Sequence, residues 1–325
     1  MLPRYTSDYR TLLWALLFFP LVPALGYAWQ RALPWLLPLA LYGSYCSGVL
    51  THNHVHVPVF RRRRANSAYA AWLSIFYGCP VATWIPTHLE NHHRFVDGPE
   101  DVTRTSRRSA KHSAWQALVY TASCAHWQRP LIASYVRRAY ARRGQHWAAL
   151  RDQSAALLLA HAGMLALACA LHGAARGALT YALAFGLPAA LAPTFMFFTN
   201  YIQHVHCDPT SPDNHSRNFV SRFSNWFVFD AGYHTVHHER PSAHWSRYAE
   251  LHRARASRIH PSLNAHSVLS FCWEHYLRAA FTRRTERRPL EGAPRAAARP
   301  QPASLTGRSC PPRPTGVEDG CSQTP

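Results

Sequence analysis

Lysine is nearly missing from this chain, and acidic residues are scarce. Lys111 stands alone against an excess of arginine, and 35 Lys plus Arg face only 16 Asp plus Glu, for a net charge of +19. Such a balance first suggests nucleic acid. The arginine-for-lysine bias, with abundant alanine, points instead to a GC-rich genome. The eight cysteines (46, 79, 124, 169, 207, 272, 310 and 321) never form a C-x-x-C pair. That spacing excludes a zinc ribbon and a disulfide framework, and it suits a reducing cytoplasm. The most informative absence is of charge itself. No Asp, Glu, Lys or Arg occurs between Arg10 and Arg31, Arg31 and Arg61, Arg64 and Glu90, Asp152 and Arg176, or Arg176 and Asp208.

A helix rises about 1.5 Å per residue, so roughly 20 apolar residues cross the hydrocarbon layer. Four of these windows read as spans: 11–30, 32–51, 154–175 and 177–201. The first is too long, and lacks the small-residue site, for a cleaved secretory signal, so it reads as an anchor. The window 65–89, with Pro80, Pro86, Trp72, Trp84 and Tyr77, fits a helix in the interface as well as one that crosses. If the N-terminus is cytoplasmic, only Arg31 and Arg176 fall on the far side. The positive-inside rule then accounts for the net charge, and a nucleic-acid partner is not needed. A basic inner face also favours anionic membrane lipids and acidic partner proteins.

The expected fold is an all-α integral membrane protein of two helical hairpins with a cytoplasmic helical cap. A membrane domain covers 1–284, with a cytoplasmic insertion at 52–153 and the cap at 202–284. Residues 109–143 of the insertion read as interfacial helices with aromatic anchors. The Pro/Arg-rich stretch 285–325 reads as a disordered tail.

Histidine is what the chain has in plenty, 22 in all. Three clusters lie just outside apolar stretches: His52-Asn-His54-Val-His56, His88-Leu-Glu-Asn-His92-His93 and His234-Thr-Val-His237-His238. Asn200-Tyr-Ile-Gln-His204-Val-His206 closes the last long apolar run. His52 and His56, like His88 and His92, are four apart and share a helix face, while His54 points away. The adjacent pairs His92-His93 and His237-His238 let one helix serve two neighbouring ions. Neutral imidazole is the commonest side-chain ligand for iron, zinc and copper. These clusters predict a metal centre at a bilayer surface, with two or three of the carboxylates Glu90, Asp97, Asp101, Asp208, Asp230 and Glu239 accepting ring N–H protons and so orienting the rings. His161 and His172, in or beside the third apolar run, read as helix-packing residues, and Asn214–Asn218 as a candidate lining of a substrate or partner route.

The pattern resembles the membrane fatty acid desaturases and their hydroxylase, ketolase and acetylenase relatives. The resemblance covers roughly residues 10–280 and is strongest in His88–Arg94 and from Asn200 through Trp245, where it looks like bacterial members of the desaturase branch. It implies two iron ions held by His52, His56, His88, His92, His93, His204, His234, His237 and His238. Asn200 matches a position that meets iron directly or through water in some relatives, with His54 and His206 in reserve. It further implies an oxidoreductase in the bacterial inner membrane, its site facing the cytoplasm, that uses O2 to desaturate a fatty acyl chain carried on lipid, CoA or carrier protein. No His-Pro-Gly-Gly haem sequence and no ferredoxin-like cysteine set is present. Electrons must therefore come from a separate ferredoxin-type carrier with its reductase. The nearest alternative is an acyl hydroxylase, acetylenase or epoxidase with the same metal site, including polyyne or other specialised lipid synthesis. A membrane metal transporter is the rival of another class. It is expected to place His, Asp or Glu midway through its spans, whereas here the histidines gather at span ends.

Overall fold

The computed structural model describes residues 2–278. The proposed tail at 285–325, and the end of the domain drawn to 284, lie outside the described residues. Four helices are long and apolar enough to cross a membrane: α1 (Asp8–Ala28), α2 (Gln30–His56), α6 (Gln145–His172) and α7 (Ala174–His204). They overlap the four expected spans: α2 and α7 run past theirs at both ends, while α1 and α6 start earlier and stop two and three residues short. The 27 residues of α2 make about 40 Å of helix, against a hydrocarbon layer of about 30 Å. That surplus lifts His52 and His56 out of the apolar layer, and α7 lifts His204 in the same way.

Only 6% of the apolar window of α6 is buried, and Leu158, Leu159, Leu167 and Leu171 stand exposed on it. A bare leucine face on a helix that satisfies its own backbone suits lipid. Trp29 and Trp35, also exposed, mark the α1–α2 turn as an interfacial aromatic belt. At Gly177 a Cβ would strike the backbone of Ala168 and Cys169, so α6 and α7 pack backbone to backbone. The hairpins are tied together by Tyr27, whose hydroxyl donates to the Met164 carbonyl (3.1 Å), and by His172 Nε2, which donates to the Tyr27 carbonyl (2.9 Å). His161 bonds the Tyr181 hydroxyl (2.8 Å) and the Ile75 carbonyl (3.0 Å), a packing role as expected.

The ambiguous window becomes α3 (Arg63–Tyr77) and α4 (Val81–Phe95), bent by 90°. Gly78 makes the bend: its φ is +74°, and a Cβ there would overlap the Ala189 carbonyl oxygen. The foot of α3 is fixed beside the end of α2, where Asn66 exchanges hydrogen bonds with Phe60 (2.8 Å each). Since α4 also ends there, with His88 against His56, the pair dips in and returns without crossing. Residues 109–143 hold one helix, α5 (Ala114–Arg142), instead of several interfacial ones. Ser113 caps it by accepting from the Gln116 N–H (3.1 Å), and its buried stripe of Ala117, Tyr120, Thr121 and Cys124 packs along α7.

The cap contains α8 (Arg222–Phe227), α9 (His234–Glu239), α10 (Tyr248–Arg255) and α11 (Val268–Cys272), with strands β1 (Asn218–Phe219) and β2 (Asn264–Ala265) paired in parallel. Buried Asp8 clamps the cap to the foot of α1, its Oδ1 accepting from His244 Nε2 (3.1 Å) and Trp245 Nε1 (3.2 Å). Tyr5 stacks on His244 with ring centroids 4.0 Å apart. The three clusters and the Asn200–His206 element thus meet on one face of the helical bundle.

Candidate metal centre

Nine histidines converge in two groups. His52 and His56 of α2, His88 and His93 of α4, and His237 of α9 form one; His92 of α4, His204 of α7, and His234 and His238 of α9 form the other. Within each group the available ring nitrogens all lie within 4.8 Å of one another. The neighbouring pairs divide as the sequence predicts: His92 and His93 go to different groups, and so do His237 and His238. A wide π turn over Ile85–His92, a distortion often found at functional sites, carries the divided pair on α4.

The nitrogens meet edge to edge. Nε2 of His237 lies 3.0 Å from that of His52 and 2.9 Å from that of His93, while His88 is 3.0 Å from His56 and 3.1 Å from His93. In the second group, Nε2 of His234 lies 2.9 Å from that of His204 and 3.0 Å from that of His238. These contacts are not a hydrogen-bond network. His92 Nδ1 faces a carboxylate and His204 Nδ1 a carbonyl (3.1 Å to His215 O), so their single protons sit on Nδ1 and their Nε2 lone pairs point inward. His92 Nε2 is buried with no hydrogen-bond partner. Two nitrogens about 2.1 Å from one ion and at right angles are about 3 Å apart, so the donor set fits a transition metal in each group. Burial first, then the neighbouring rings, holds His234, His237 and His238 well below the ordinary histidine range. They are therefore neutral at pH 7 and able to ligate.

Of the six carboxylates expected to orient rings, Asp101 alone among the described residues reaches one. It is fully buried, and its Oδ2 takes His92 Nδ1–H at 2.7 Å. Burial pushes this carboxyl up, but His92 and hydrogen bonds from His92, Thr103 and the Asp97 N–H outweigh that and hold it below the usual carboxylate range. Asp97 instead accepts from Thr105 N–H (2.5 Å) and Oγ1–H (2.9 Å), and burial pushes its carboxyl up to about 7. Glu239, about 100° beyond His238 around the helix, turns to Arg255 (2.5 Å). Glu90 lies 3.9 Å from Arg138. Asp208 caps Thr210, and burial raises the Asp230 carboxyl to about 6 although Arg10 opposes it. The reserve histidines join neither group. His54 Nδ1 faces the Val59 N–H (3.4 Å) and its ring meets Tyr69, while exposed His206 donates to the Ala110 carbonyl (2.9 Å). Sequence reasoning missed Tyr248, whose hydroxyl lies 3.0 Å from His237 Nδ1. It also missed the structural part of His215, which holds His204 through its carbonyl and packs its ring 5.5 Å from His238.

A cavity of about 350 Å³ opens beside both groups, reached by His52, His88, His92 and His234. It runs between α2, α7, α5 and the α3–α4 bend, and its size falls in the range of ligand pockets. Several threonines line it, yet Thr83, Thr87 and Thr199 spend their hydroxyls on the carbonyls of Pro80, Thr83 and Phe195. With their hydroxyls spent, these threonines contribute methyl groups, and the lining is mainly apolar. Asn200 lines the same cavity, one turn before His204.

A family model described as fatty acid desaturase matches residues 27–268, a stretch that contains all nine histidines. The chain belongs to the fatty acid desaturase family. Comparison with curated proteins and with solved structures returned no match. As a family member with four membrane-crossing helices it is a membrane protein of the desaturase and hydroxylase superfamily, oxidoreductases acting on fatty acids, with two histidine groups able to bind metal.

Proposed function

We propose that this protein desaturates a fatty acyl chain with O2, using two iron ions held by the five- and four-histidine groups. The observation that carries this reading is the placement of both groups at one apolar cavity inside a desaturase-family fold. The reaction balances as one –CH2–CH2– unit plus O2, two electrons and two protons, giving –CH=CH– and two waters. Imidazole suits iron and stays neutral, and bound iron supplies the activation of O2 that an unactivated C–H bond requires. The chain's own residues do the rest. Asp101 fixes the tautomer of His92 and Tyr248 orients His237, the α3–α4 bend and α7 confine the chain and exclude water, and the cavity length sets which methylene pair lies beneath the histidines.

Electrons come from a separate acidic, ferredoxin-type carrier docking on the arginine-rich face, with membrane lipids on the flanks. That face is assigned to the cytoplasm of a bacterial inner membrane because Arg31 and Arg176 are the cations at the opposite turns. The test is expression in a host of known lipid profile, followed by mass spectrometry. New acyl chains lighter by two hydrogens support desaturation; loss of four or gain of oxygen replaces it with acetylenation or hydroxylation. His92→Ala and His237→Ala must each abolish product and bound iron together, and full activity in either removes the metal assignment.

A further inference from the structure

Asn200 and the loop that follows α4 converge on one hydroxyl, that of Tyr120 on α5. Tyr120 is wholly buried; its hydroxyl lies 2.6 Å from the Thr103 carbonyl oxygen and 2.7 Å from Asn200 Nδ2. A carbonyl only accepts, so the phenolic proton is committed to Thr103. The phenolic oxygen must then accept from Asn200, and only the NH2 end of an amide donates. The ambiguity that usually attends an Asn side chain is thereby resolved by donor and acceptor count. The carbonyl oxygen of Asn200 is left as the amide's other end, in the cavity that His52, His88, His92 and His234 line, and Asn200 stands one turn before His204 of the four-histidine group on the same helix. Thr103 is itself tied to the histidine shell, because its N–H (2.8 Å) and hydroxyl (2.7 Å) both donate to Asp101 Oδ1 while Oδ2 holds His92. One chain of hydrogen bonds therefore runs His92, Asp101, Thr103, Tyr120, Asn200.

We infer that Tyr120 is a positioning residue that locks the Asn200 amide with its oxygen toward the four-histidine group, adding an oxygen donor where one imidazole fewer is available. The inference rests on the two-ion reading above. Without the lock, nothing in this hydrogen-bond chain stops the amide from turning its NH2 inward, and an NH2 neither ligates a cation nor holds a water by its lone pair. Phenylalanine at 120 removes the lock while keeping the ring, and aspartate at 200 restores an inward oxygen whichever way it turns.

The experiment is a Co2+ titration of the full chain in detergent, followed by visible absorption and by metal analysis after desalting, with the thermal midpoint recorded in parallel. Wild type should take up two equivalents. Tyr120→Phe should keep one step unchanged and weaken the other by about 10–100-fold, the usual loss for an outer-shell partner. The weakened step should be the one that His204→Ala abolishes, and Tyr120→Phe/Asn200→Asp should recover most of it. Two unweakened steps in Tyr120→Phe overturn the inference, as does loss of both steps with a collapsed thermal midpoint, or a double variant no better than the single one. Uptake of fewer than two equivalents by wild type sinks the two-ion reading instead.

Discussion

Replacing Asp101 by asparagine keeps the shape of the side chain, yet it is predicted to be among the more damaging single-atom changes available near the site. Four donors converge on the carboxylate: His92 Nδ1–H (2.7 Å) and the Asp97 N–H (2.9 Å) on Oδ2, and the Thr103 N–H (2.8 Å) and hydroxyl (2.7 Å) on Oδ1. An asparagine presents an NH2 at one of these two ends. Whichever way it turns, two donors face a donor, because neither end of Asp101 meets an acceptor. The Thr103 hydroxyl can rotate away, but its N–H cannot. Each buried donor left without a partner costs about 1–3 kcal/mol, and because the hydroxyl in one orientation and the His92 ring in the other can adjust, about 1–3 kcal/mol is lost locally. If the amide turns its NH2 to His92, the ring is pushed to the tautomer that places its proton on Nε2, the atom that points into the four-histidine group. The expected result is a loss of about 10–100-fold in affinity for the ion of that group, read by metal analysis of the purified protein after exchange against a chelator. Product should fall in parallel and recover in part at excess metal. Glu100→Gln is the control, since Glu100 is exposed and contributes its backbone carbonyl to Asn91 (3.1 Å). Wild-type metal retention in Asp101→Asn would refute the view that this carboxylate sets the tautomer of His92.

The other outcomes concern the five-histidine group and acid. Tyr248→Phe removes the hydroxyl at His237 Nδ1; a neutral hydrogen bond is worth about 1 kcal/mol, so the matching ion should weaken by up to roughly fivefold, with the thermal midpoint of the metal-free protein lowered by a few degrees at most. No weakening in the titration would show that packing alone orients His237. The metal-free protein should lose stability in acid. His234, His237 and His238 have depressed folded values, so the stability they contribute is complete above the unfolded value of about 6.5. It falls as pH drops below that, where the unfolded chain takes protons that the buried rings refuse, at up to about 4 kcal/mol per pH unit for three rings. Thermal midpoints measured from pH 7.5 to 5.5 check this, and a flat profile would contradict the burial argument.

The spans were legible because the bilayer leaves few options: long windows without charge have one use, and each of α1, α2, α6 and α7 overlies one, although α6 begins nine residues before its window. The nine histidines were legible because four-residue steps and adjacent pairs on helices dictate which rings share a face. What stayed hidden depends on contacts between remote segments. Six carboxylates lay near the clusters in sequence, and nothing in their spacing singled out Asp101. It is singled out by the loop after α4, where Val96 (φ +40°) and Asp97 (φ +61°) adopt left-handed backbone and turn the chain back on His92. Tyr248 at His237 and Tyr120 at Asn200 carry no sequence signal for these contacts, because a tyrosine beside a helix is ordinarily a packing residue. The 90° bend was half-visible: Pro80 and Pro86 left the window open to an interfacial or a crossing helix, and whether the chain crossed or returned was decided by the Ala189 backbone against which Gly78 packs.

The two groups are built unequally, and the inequality is itself structural. Helices α4 and α9 each give one ring of an adjacent pair to each group, so the separation of the groups is fixed by two helix backbones instead of by flexible side chains. The five-histidine group is held by neutral partners, Asn53 Oδ1 at His52 (3.2 Å) and the Tyr248 hydroxyl at His237. The four-histidine group has one imidazole fewer but has the carboxylate of Asp101 behind His92 and the His215 carbonyl behind His204. A carboxylate accepting the Nδ1 proton makes the opposite nitrogen a stronger donor than a neutral partner does. The poorer donor set is therefore the one with anionic backing. Both groups send two rings to the cavity wall, His52 and His88 from one and His92 and His234 from the other, so the groups differ in their backing and not in their access to the cavity.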